Sequence, residues 1–479
     1  MAGITGYGGY IPRLRLSRQA IATANVWMNP NIMGQGKGER AMANWDEDSV
    51  TMAAEAARDC LGEKPRNTID ALNFASTTMP FADRLNAAIV SGALSLDEDV
   101  AATDFGASQR AGATALRAAL NAVNSGESSN ALVVAGEHRL SRAGSPQEMN
   151  FGDGAAAFTV GNDEVIAEYL GGHVVTLDFV DHFRGEGEKF DYYWEERWIR
   201  DEGYNKIVPN AVAKALEKSG VNAEEINYFI MPCTLARVAD GMTKKCGLSN
   251  AAVRDNLHAG CGDTGAAHAL VMLSHALQEA EPGQKIMVAS FGQGCDVMIF
   301  ETTNALKHFG PQQGIAGALQ NGKEETNYLK FLTFNGLLEF EKGMRAEADK
   351  KTALSVLYRK QDLLESLVGG KCRECGTPQL PRNRVCIECR AVDSQDPYPF
   401  ADKEAKVLSW SADYLTYCID PPQHYGMMVF EEGGRLMMDF TDVEVGSVDS
   451  GMSVKMMFRI KDFDDKRGFR RYFWKAAPV

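Results

Sequence analysis

Short apolar runs alternate with amphipathic stretches through the first 300 residues of the chain. Residues 131–136 (ALVVAG) read as a buried strand, and 152–161 (GDGAAAFTVG) as a second strand led by glycine. Residues 285–290 (KIMVAS) and 292–300 (GQGCDVMIF) repeat this plan about 150 positions later. Helical spacing marks 49–60, 111–124, 205–219 and 264–278. Alternation of this kind predicts an α/β fold with helix-covered sheets. The two strand–loop–strand units predict a duplicated half-domain.

The pattern changes after residue 300. Residues 328–340 are rich in Phe and Leu, and 347–367 are charged and helical. They read as a linker arm that docks on the first domain. Beyond 401 come short strands with turns, at 406–410, 426–431, 435–440 and 453–460, which predict a small barrel. The basic stretch 466–471 reads as a solvated turn, with a phosphate contact as the alternative. The expected division is 1–305, 306–370, 371–400 and 401–479.

Composition narrows the function classes. Hydrophobic residues make up 45% of the 479, enough for a sizeable core. The net charge of −14 argues against a non-specific nucleic-acid binder, which needs a basic surface. The first fifteen residues have no secretory pattern, and no apolar run approaches the ~20 residues of a membrane span. A cytoplasmic protein with reduced cysteines is the expectation, so metal binding or reactivity outranks disulfides for the ten cysteines.

Four of these cysteines form a pattern. Cys372, Cys375, Cys386 and Cys389 read C-x2-C, ten residues, C-x2-C. Each knuckle aims two thiolates at one ion, and two knuckles complete a zinc tetrahedron. Four sulfurs leave no open position, so the site is structural. A redox dithiol explains one CxxC but not a matched pair.

Motifs in the first 300 residues resemble the 3-hydroxy-3-methylglutaryl-CoA synthase branch of the thiolase superfamily. They are the opening GITGYGGYIPRLRL, ANWDEDSVTMAAEAA, ALVVAGE, FGDGAAAF and SFGQG. Residues from about 345 onward resemble the zinc-ribbon/OB-fold domain that accompanies many thiolase-like acyl-CoA enzymes. The resemblance implies a five-layer αβαβα domain, followed by a zinc ribbon and a small OB-fold β-barrel. It also implies a homodimer with a coenzyme A thioester as substrate, while the charge and the lack of a long apolar run point to neither nucleic acid nor membrane as partner.

The same resemblance carries a catalytic cysteine, a histidine and an asparagine, and all three are replaced here. Anchoring on Arg110-Ala111-Gly112 places the cysteine position at Gln109, with Ser108 beside it. The F-H-x-P histidine falls at Ile230, and the G-N-x-x-T-G asparagine at Cys261. The synthase's acid is replaced by Thr77 or Thr78. An amide is no nucleophile, so condensation through an acyl-cysteine at position 109 is excluded, and hydroxymethylglutaryl-CoA synthesis is not expected.

Other groups are candidates for reactivity. Cys261 lies near His258, Asp263 and His268; Cys233 follows the Ile230 slot; Cys295 abuts the SFGQG loop. A Cys–His pair makes an activated nucleophile, although Cys is equally a small buried residue. The loop's Ser290, Gly292 and Gly294 are the candidate cofactor-binding positions, with their amides as an oxyanion hole. His138 follows a strand where loops of this fold approach the site. Trp194 and Trp198 share a helical face in WEERWIRDEGY, as packing or as a lid.

Three functions are compatible with these residues. The chain cleaves or forms a C–C bond of a β-hydroxy- or β-keto-acyl-CoA without an acyl-cysteine at 109. Alternatively it is a thiolase or acyltransferase whose nucleophile has moved to Cys233, Cys261 or Cys295. In the third it is a non-catalytic CoA-binding scaffold for another thiolase.

Overall fold

The computed structural model describes residues 2–341 and 353–479. Two compact units emerge, one from 1–44, 48–88 and 96–331, the other from 45–47, 89–95 and 332–479. Part of the charged helical stretch expected at 347–367 lies outside the described residues.

The first unit is built on ten strands. The first five are β1 (Gly3–Tyr10), β2 (Ala71–Ala75), β3 (Ala101–Phe105), β4 (Asn130–Glu137) and β5 (Gly154–Gly161). The second five are β6 (Ala167–Thr176), β7 (Ile226–Ile230), β8 (Ala252–Val253), β9 (Lys285–Phe291) and β10 (Gly294–Thr302). Their order is β8-β7-β9-β10-β6-β1-β5-β4-β2-β3. Read outward from the centre, the halves are β1-β5-β4-β2-β3 and β6-β10-β9-β7-β8. In each half the outer three strands run parallel, and the second pairs antiparallel with both its neighbours. The duplication read from the sequence is therefore a duplication of topology. The halves join where Gly3 and Ile4 pair with Glu168 and Ala167.

Helices separate and cover these strands in five layers. Helices Ala111–Ser125 and His268–Glu279 share one core with residues of both halves, such as Val133 and Phe158 of the first and Val288 and Phe300 of the second. Helix Asn205–Ser219 packs on the outer side of the second half, against Phe229, Met287 and Val297. Helix Ser49–Leu61 starts at a capping box of Asp48 and Thr51 and is buried along almost its whole length. Strand β1 passes so close to it that a Cβ on Gly8 would lie 2.3 Å from the Cys60 nitrogen.

Two expected helices differ from the structure. The helix expected from 264 begins at His268, because Gly265 takes φ +55 and a 3-10 turn occupies Gly265–Ala267. The helix carrying Trp194 and Trp198 is only Glu196–Trp198, and it passes into π geometry over Ile199–Tyr204. The two indoles therefore share no helical face. Trp198 stacks instead on Phe179, with centroids 6.3 Å apart.

The second unit holds the cysteine ribbon and a five-stranded barrel. Its strands are β11 (Ala405–Asp413), β12 (Gln423–Phe430), β13 (Arg435–Asp439), β14 (Ser453–Asp464) and β15 (Phe469–Pro478). They are ordered β13-β12-β11-β14-β15, and a parallel bridge from Phe440 to Ala476 closes the circuit. That circuit is the OB-fold connection of a partly open Greek-key barrel. The sequence reading lacked β15. The basic stretch before it is a turn in which Arg467 pairs with Asp464 at 2.7 Å. Buried Lys475 of β15 pairs with Asp46 at 2.8 Å, and buried Arg459 of β14 with Glu47 at 3.1 Å. Residues 45–47 are thus held inside this unit by ion pairs.

Candidate active site

The segment that replaces the nucleophile is fixed from several sides. Ala107 takes φ +62, turning the chain into helix Ala111–Ser125. Ser108 Oγ donates to the Gly292 carbonyl at 3.2 Å and accepts from the Arg110 amide at 3.3 Å. Arg110 Nε donates to the same carbonyl at 2.9 Å, and its Nη1 pairs with buried Asp296 at 2.9 Å. The SFGQG loop therefore cradles the segment. The Gly292 amide is spent on the Gly294 carbonyl, 3.1 Å away, within the hairpin itself. Ser290 lies in β9 opposite Asp296. A Cβ on Gly294 would strike the Val175 carbonyl at 1.9 Å, so this position needs glycine.

Gln109 points its amide toward Gly265. Its Oε1 is buried and accepts no hydrogen bond among the described residues. A Cβ on Gly265 would lie 2.9 Å from this oxygen, 2.8 Å from Arg139 Nε and 2.8 Å from Glu137 Cγ. Gln109, Glu137 and Arg139 thus converge on one glycine. Glu137 takes five contacts, from Thr77 N and Oγ1, Ser76 Oγ, Thr78 Oγ1 and Ala266 N. Thr77 and Thr78, the positions where the acid was missed, hold a carboxylate that comes from β4. The sequence reading quoted Glu137 only as part of a motif. Its location at the carboxyl end of a parallel strand, where open α/β sheets bind ligands, was the available signal. Burial alone would raise the Asp153 carboxyl; His138, 3.1 Å away, together with Arg40 and the Ala43 amide, outweighs it and holds the group low.

Arg139 is almost wholly buried between Asp263, 3.0 Å away, and the face of Phe151, 3.7 Å away. Burial alone would raise the Asp263 carboxyl. Arg139, His268 and His258 outweigh it and hold the group well below the usual carboxylate range. His268 is a structural residue. Its Nδ1 accepts from the Thr264 amide at 3.1 Å, so its Nε2 carries the proton and donates to the Asn256 carbonyl at 2.9 Å.

Asn256 in turn orients His258. The Asn256 Oδ1 accepts from the His258 amide at 3.2 Å, and its Nδ2 donates to the Cys233 carbonyl and to His258 Nδ1, at 3.4 and 3.3 Å. With Nδ1 accepting, His258 carries its proton on Nε2. That nitrogen is closed to water and has no partner among the described residues. Burial, with His268 and Arg18, pushes this imidazole down to about 4, so it is neutral at pH 7. The structure thus holds a neutral N–H donor with nothing to donate to.

The cysteines behave as core residues. Cys261 is fully buried, its sulfur lies 3.4 Å from the Leu257 carbonyl, and burial pushes its thiol up to about 12. Burial pushes Cys233 up to about 11 and Cys295, packed behind β10, higher still. A thiol so raised supplies almost no thiolate at neutral pH. Ile230, in the histidine slot, is buried in the shared core.

Cys372, Cys375, Cys386 and Cys389 bring their sulfurs within 4.8 Å of one another. The pairs Cys372–Cys389 and Cys375–Cys386 stand at 3.7 and 3.6 Å. A zinc tetrahedron with bonds near 2.3 Å has edges of about 3.8 Å, so the four thiolates fit the ion. Ser394 and Thr377 hydroxyls stand 3.3 and 3.2 Å from Cys372 and Cys375 and orient their sulfurs. Among the described residues no helix is long and apolar enough to cross a membrane.

Comparison with known proteins agrees with this geometry. Residues 216–299 match the C-terminal family of 3-oxoacyl-[acyl-carrier-protein] synthase III, and residues 361–393 match the ChsH2 rubredoxin-like zinc ribbon domain. The hydroxymethylglutaryl-CoA synthase of Methanocaldococcus jannaschii is 29% identical over 323 residues, covering 65% of this chain and 93% of the relative. That of Methanothermobacter thermautotrophicus is 27% identical over 346 residues, covering 71% and 99%. A solved hydroxymethylglutaryl-CoA synthase complexed with CoA superposes with a TM-score of 0.61 at 18% identity, covering 74% of this chain and 94% of that one. The 3-oxoacyl-[acyl-carrier-protein] synthase III of Aquifex aeolicus gives a TM-score of 0.53 at 21% identity, covering 63% and 100%. Over about two thirds of its length the chain is thus similar in sequence to hydroxymethylglutaryl-CoA synthases, with a thiolase-like fold, and it also carries a match to the ChsH2 zinc ribbon domain and an OB-like barrel.

Proposed function

We propose that this protein cleaves, or in reverse forms, the Cα–Cβ bond of a β-hydroxyacyl-CoA by aldol chemistry, without an acyl-enzyme. The observation that carries the reading is His258, whose water-excluded Nε2–H has no partner among the described residues and which acts on Asp263, the partner of Arg139 beside Gln109. In retro-aldol cleavage a base takes the β-hydroxyl proton. The Cα–Cβ electron pair then enters the thioester as an enolate, a carbonyl compound leaves from Cβ, and the enolate carbon takes a proton. The only stabilisation this needs at the thioester is a donor at the enolate oxygen, and a preorganised donor in a dry site is effective there. A retro-Claisen step on a β-keto thioester needs a nucleophile at the β-carbonyl, and the raised thiols of Cys233, Cys261 and Cys295 supply almost no thiolate for it.

The roles follow from position. Gln109 fills the acyl pocket, and Ser108 and the Ser290–Gly292–Gly294 loop fix it. His258 meets the thioester oxygen. Zinc on the ribbon cysteines is structural. A homodimer fits the strand at the sheet edge, β3, which pairs on one side only among the described residues; sedimentation checks it.

The test is incubation of the whole protein with β-hydroxyacyl-CoAs of increasing chain length, followed by detection of acetyl- or propionyl-CoA and the matching carbonyl product. Release of both products supports the reading. CoA binding without release would leave the chain as a scaffold for another thiolase.

A further inference from the structure

Near the Gln109 pocket, a hairpin holds a histidine–carboxylate pair that none of the roles above uses. We infer that Asp181 and His182 form the acid–base pair of the C–C cleavage reaction. His182 Nε2 would exchange the proton of the β-hydroxyl, and Asp181 would position the ring. This inference rests on the aldol reading given above.

The hairpin pairs His182–Phe183 with Tyr192–Tyr193, Tyr193 opposite His182. Both members of the pair are nearly closed to water, Asp181 at 9% and His182 at 8% exposure. Asp181 Oδ2 stands 2.9 Å from His182 Nδ1. A carboxylate only accepts, so Nδ1 carries the ring proton and Nε2 is left with a free lone pair. Among the described residues the contact with Asp181 is the one hydrogen bond that the His182 ring makes. The second carboxylate oxygen, Oδ1, is buried without a donor, so nothing competes with the ring for Asp181. A histidine held in one tautomer by a buried carboxylate, its other nitrogen free, has the arrangement of a general base.

A chain of contacts leads from this pair to the pocket. The His182 ring stacks on Tyr193 with centroids 5.3 Å apart. Tyr193 meets Phe151 at 6.4 Å, and Phe151 carries Arg139, the partner of Asp263. From the other side Arg184 pairs with Asp191 at 2.8 Å and donates to the Thr77 carbonyl, whose own side chain binds Glu137. The hairpin is thus pinned to the residues that surround Gln109. The charged and titratable groups around the pair are Tyr193 and Tyr204 and, beyond Tyr193, Arg139, Asp191 and Asp263. The two carboxylates nearer Gln109 are less suited to the task. Glu137 is saturated with donors, and Asp263 is held ionised by Arg139.

The step balances. His182 Nε2 takes the β-hydroxyl proton as the Cα–Cβ bond breaks, and the ring becomes imidazolium beside Asp181. The enolate carbon then takes that proton, and the ring returns to neutral.

The experiment measures cleavage of β-hydroxybutyryl-CoA to acetyl-CoA and acetaldehyde by the whole protein across pH 5 to 9. His182→Asn should lower kcat by about 10²- to 10⁴-fold with KM within about threefold. His182→Ala should regain rate when imidazole is added, which a purely structural histidine would not allow. Asp181→Asn should lower kcat less than His182→Asn. A His182→Asn variant within about threefold of the parent kcat would overturn the pair while leaving the aldol reading intact. A parent protein that cleaves no β-hydroxyacyl-CoA at all would overturn the aldol reading, and the pair's role with it.

Discussion

Arg139, almost closed to water, meets Asp263, whose side chain is 16% exposed, at 3.0 Å. Removing the arginine leaves a mostly buried carboxylate uncompensated. Arg139→Met is therefore expected to cost about 3–5 kcal/mol, read from urea unfolding at pH 7. The sign of the pH dependence also follows. The folded-state Asp263 carboxyl lies below its unfolded value of roughly 3.9. Its contribution is fully present above that value and is lost as pH falls through the lower folded value. The variant should lack this acid-linked loss. Equal stabilities of variant and parent at pH 7 would contradict the pairing.

Gly265 shows how tightly the pocket is drawn. Its φ of +55 disfavours any L side chain, and a Cβ there would press on Gln109, Glu137 and Arg139 at 2.8–2.9 Å. Left-handed strain of roughly 1–2 kcal/mol and crowding of about 1–3 kcal/mol should both appear in Gly265→Ala. Thermal unfolding measures the loss. Cleavage should fall more than stability does, since the displaced atoms belong to pocket residues. A fully active, fully stable Gly265→Ala would show that these side chains do not converge.

Local signals in the sequence survived folding, and long-range ones were invisible to it. The ribbon cysteines were legible because two CxxC knuckles encode a site within eighteen residues. Gln109 was singled out by the family resemblance, through the Arg110-Ala111-Gly112 anchor, and it lies just before helix Ala111–Ser125. The strands of the duplicated halves announced themselves as apolar runs. The pocket's polar wall did not. Glu137 ends a buried strand and Arg139 follows it, and nothing local says that Thr77, Thr78 and Asp263 come to meet them. His182 and Tyr193 lie on two-residue strands, with Asp181 just before the first, too short for any period. Cys261 and Cys233 looked reactive because residue type was visible and burial was not.

The ribbon predicts one bound zinc per chain. Cys386→Ser should lose the metal, measured by elemental mass spectrometry, and should open residues 368–399 to protease. Because metal binding and folding of such a site are one process, chelation of the parent should produce the same cleavage pattern. A zinc-free protein with the ribbon still protected would remove the metal from the account.

His258 gives the last expectation, and its sign is opposite to the common histidine case. Burial lowers its pKa to about 4 against an unfolded value near 6.5. The unfolded chain therefore binds this proton first as pH falls. The stability held by neutral His258 is present above roughly 6.5 and drains away between there and about 4. His258→Gln removes the titrating ring, so the variant should lose less stability than the parent across that interval. The same substitution removes the donor proposed for the enolate oxygen. It should lower kcat for β-hydroxyacyl-CoA cleavage by about 10²- to 10³-fold. The parent's activity should not fall through pH 6.5 on account of this residue, because the ring stays neutral until about 4. An acid limb near 6.5 that vanishes in His258→Gln would mean that His258 titrates like an exposed histidine, contrary to its enclosure.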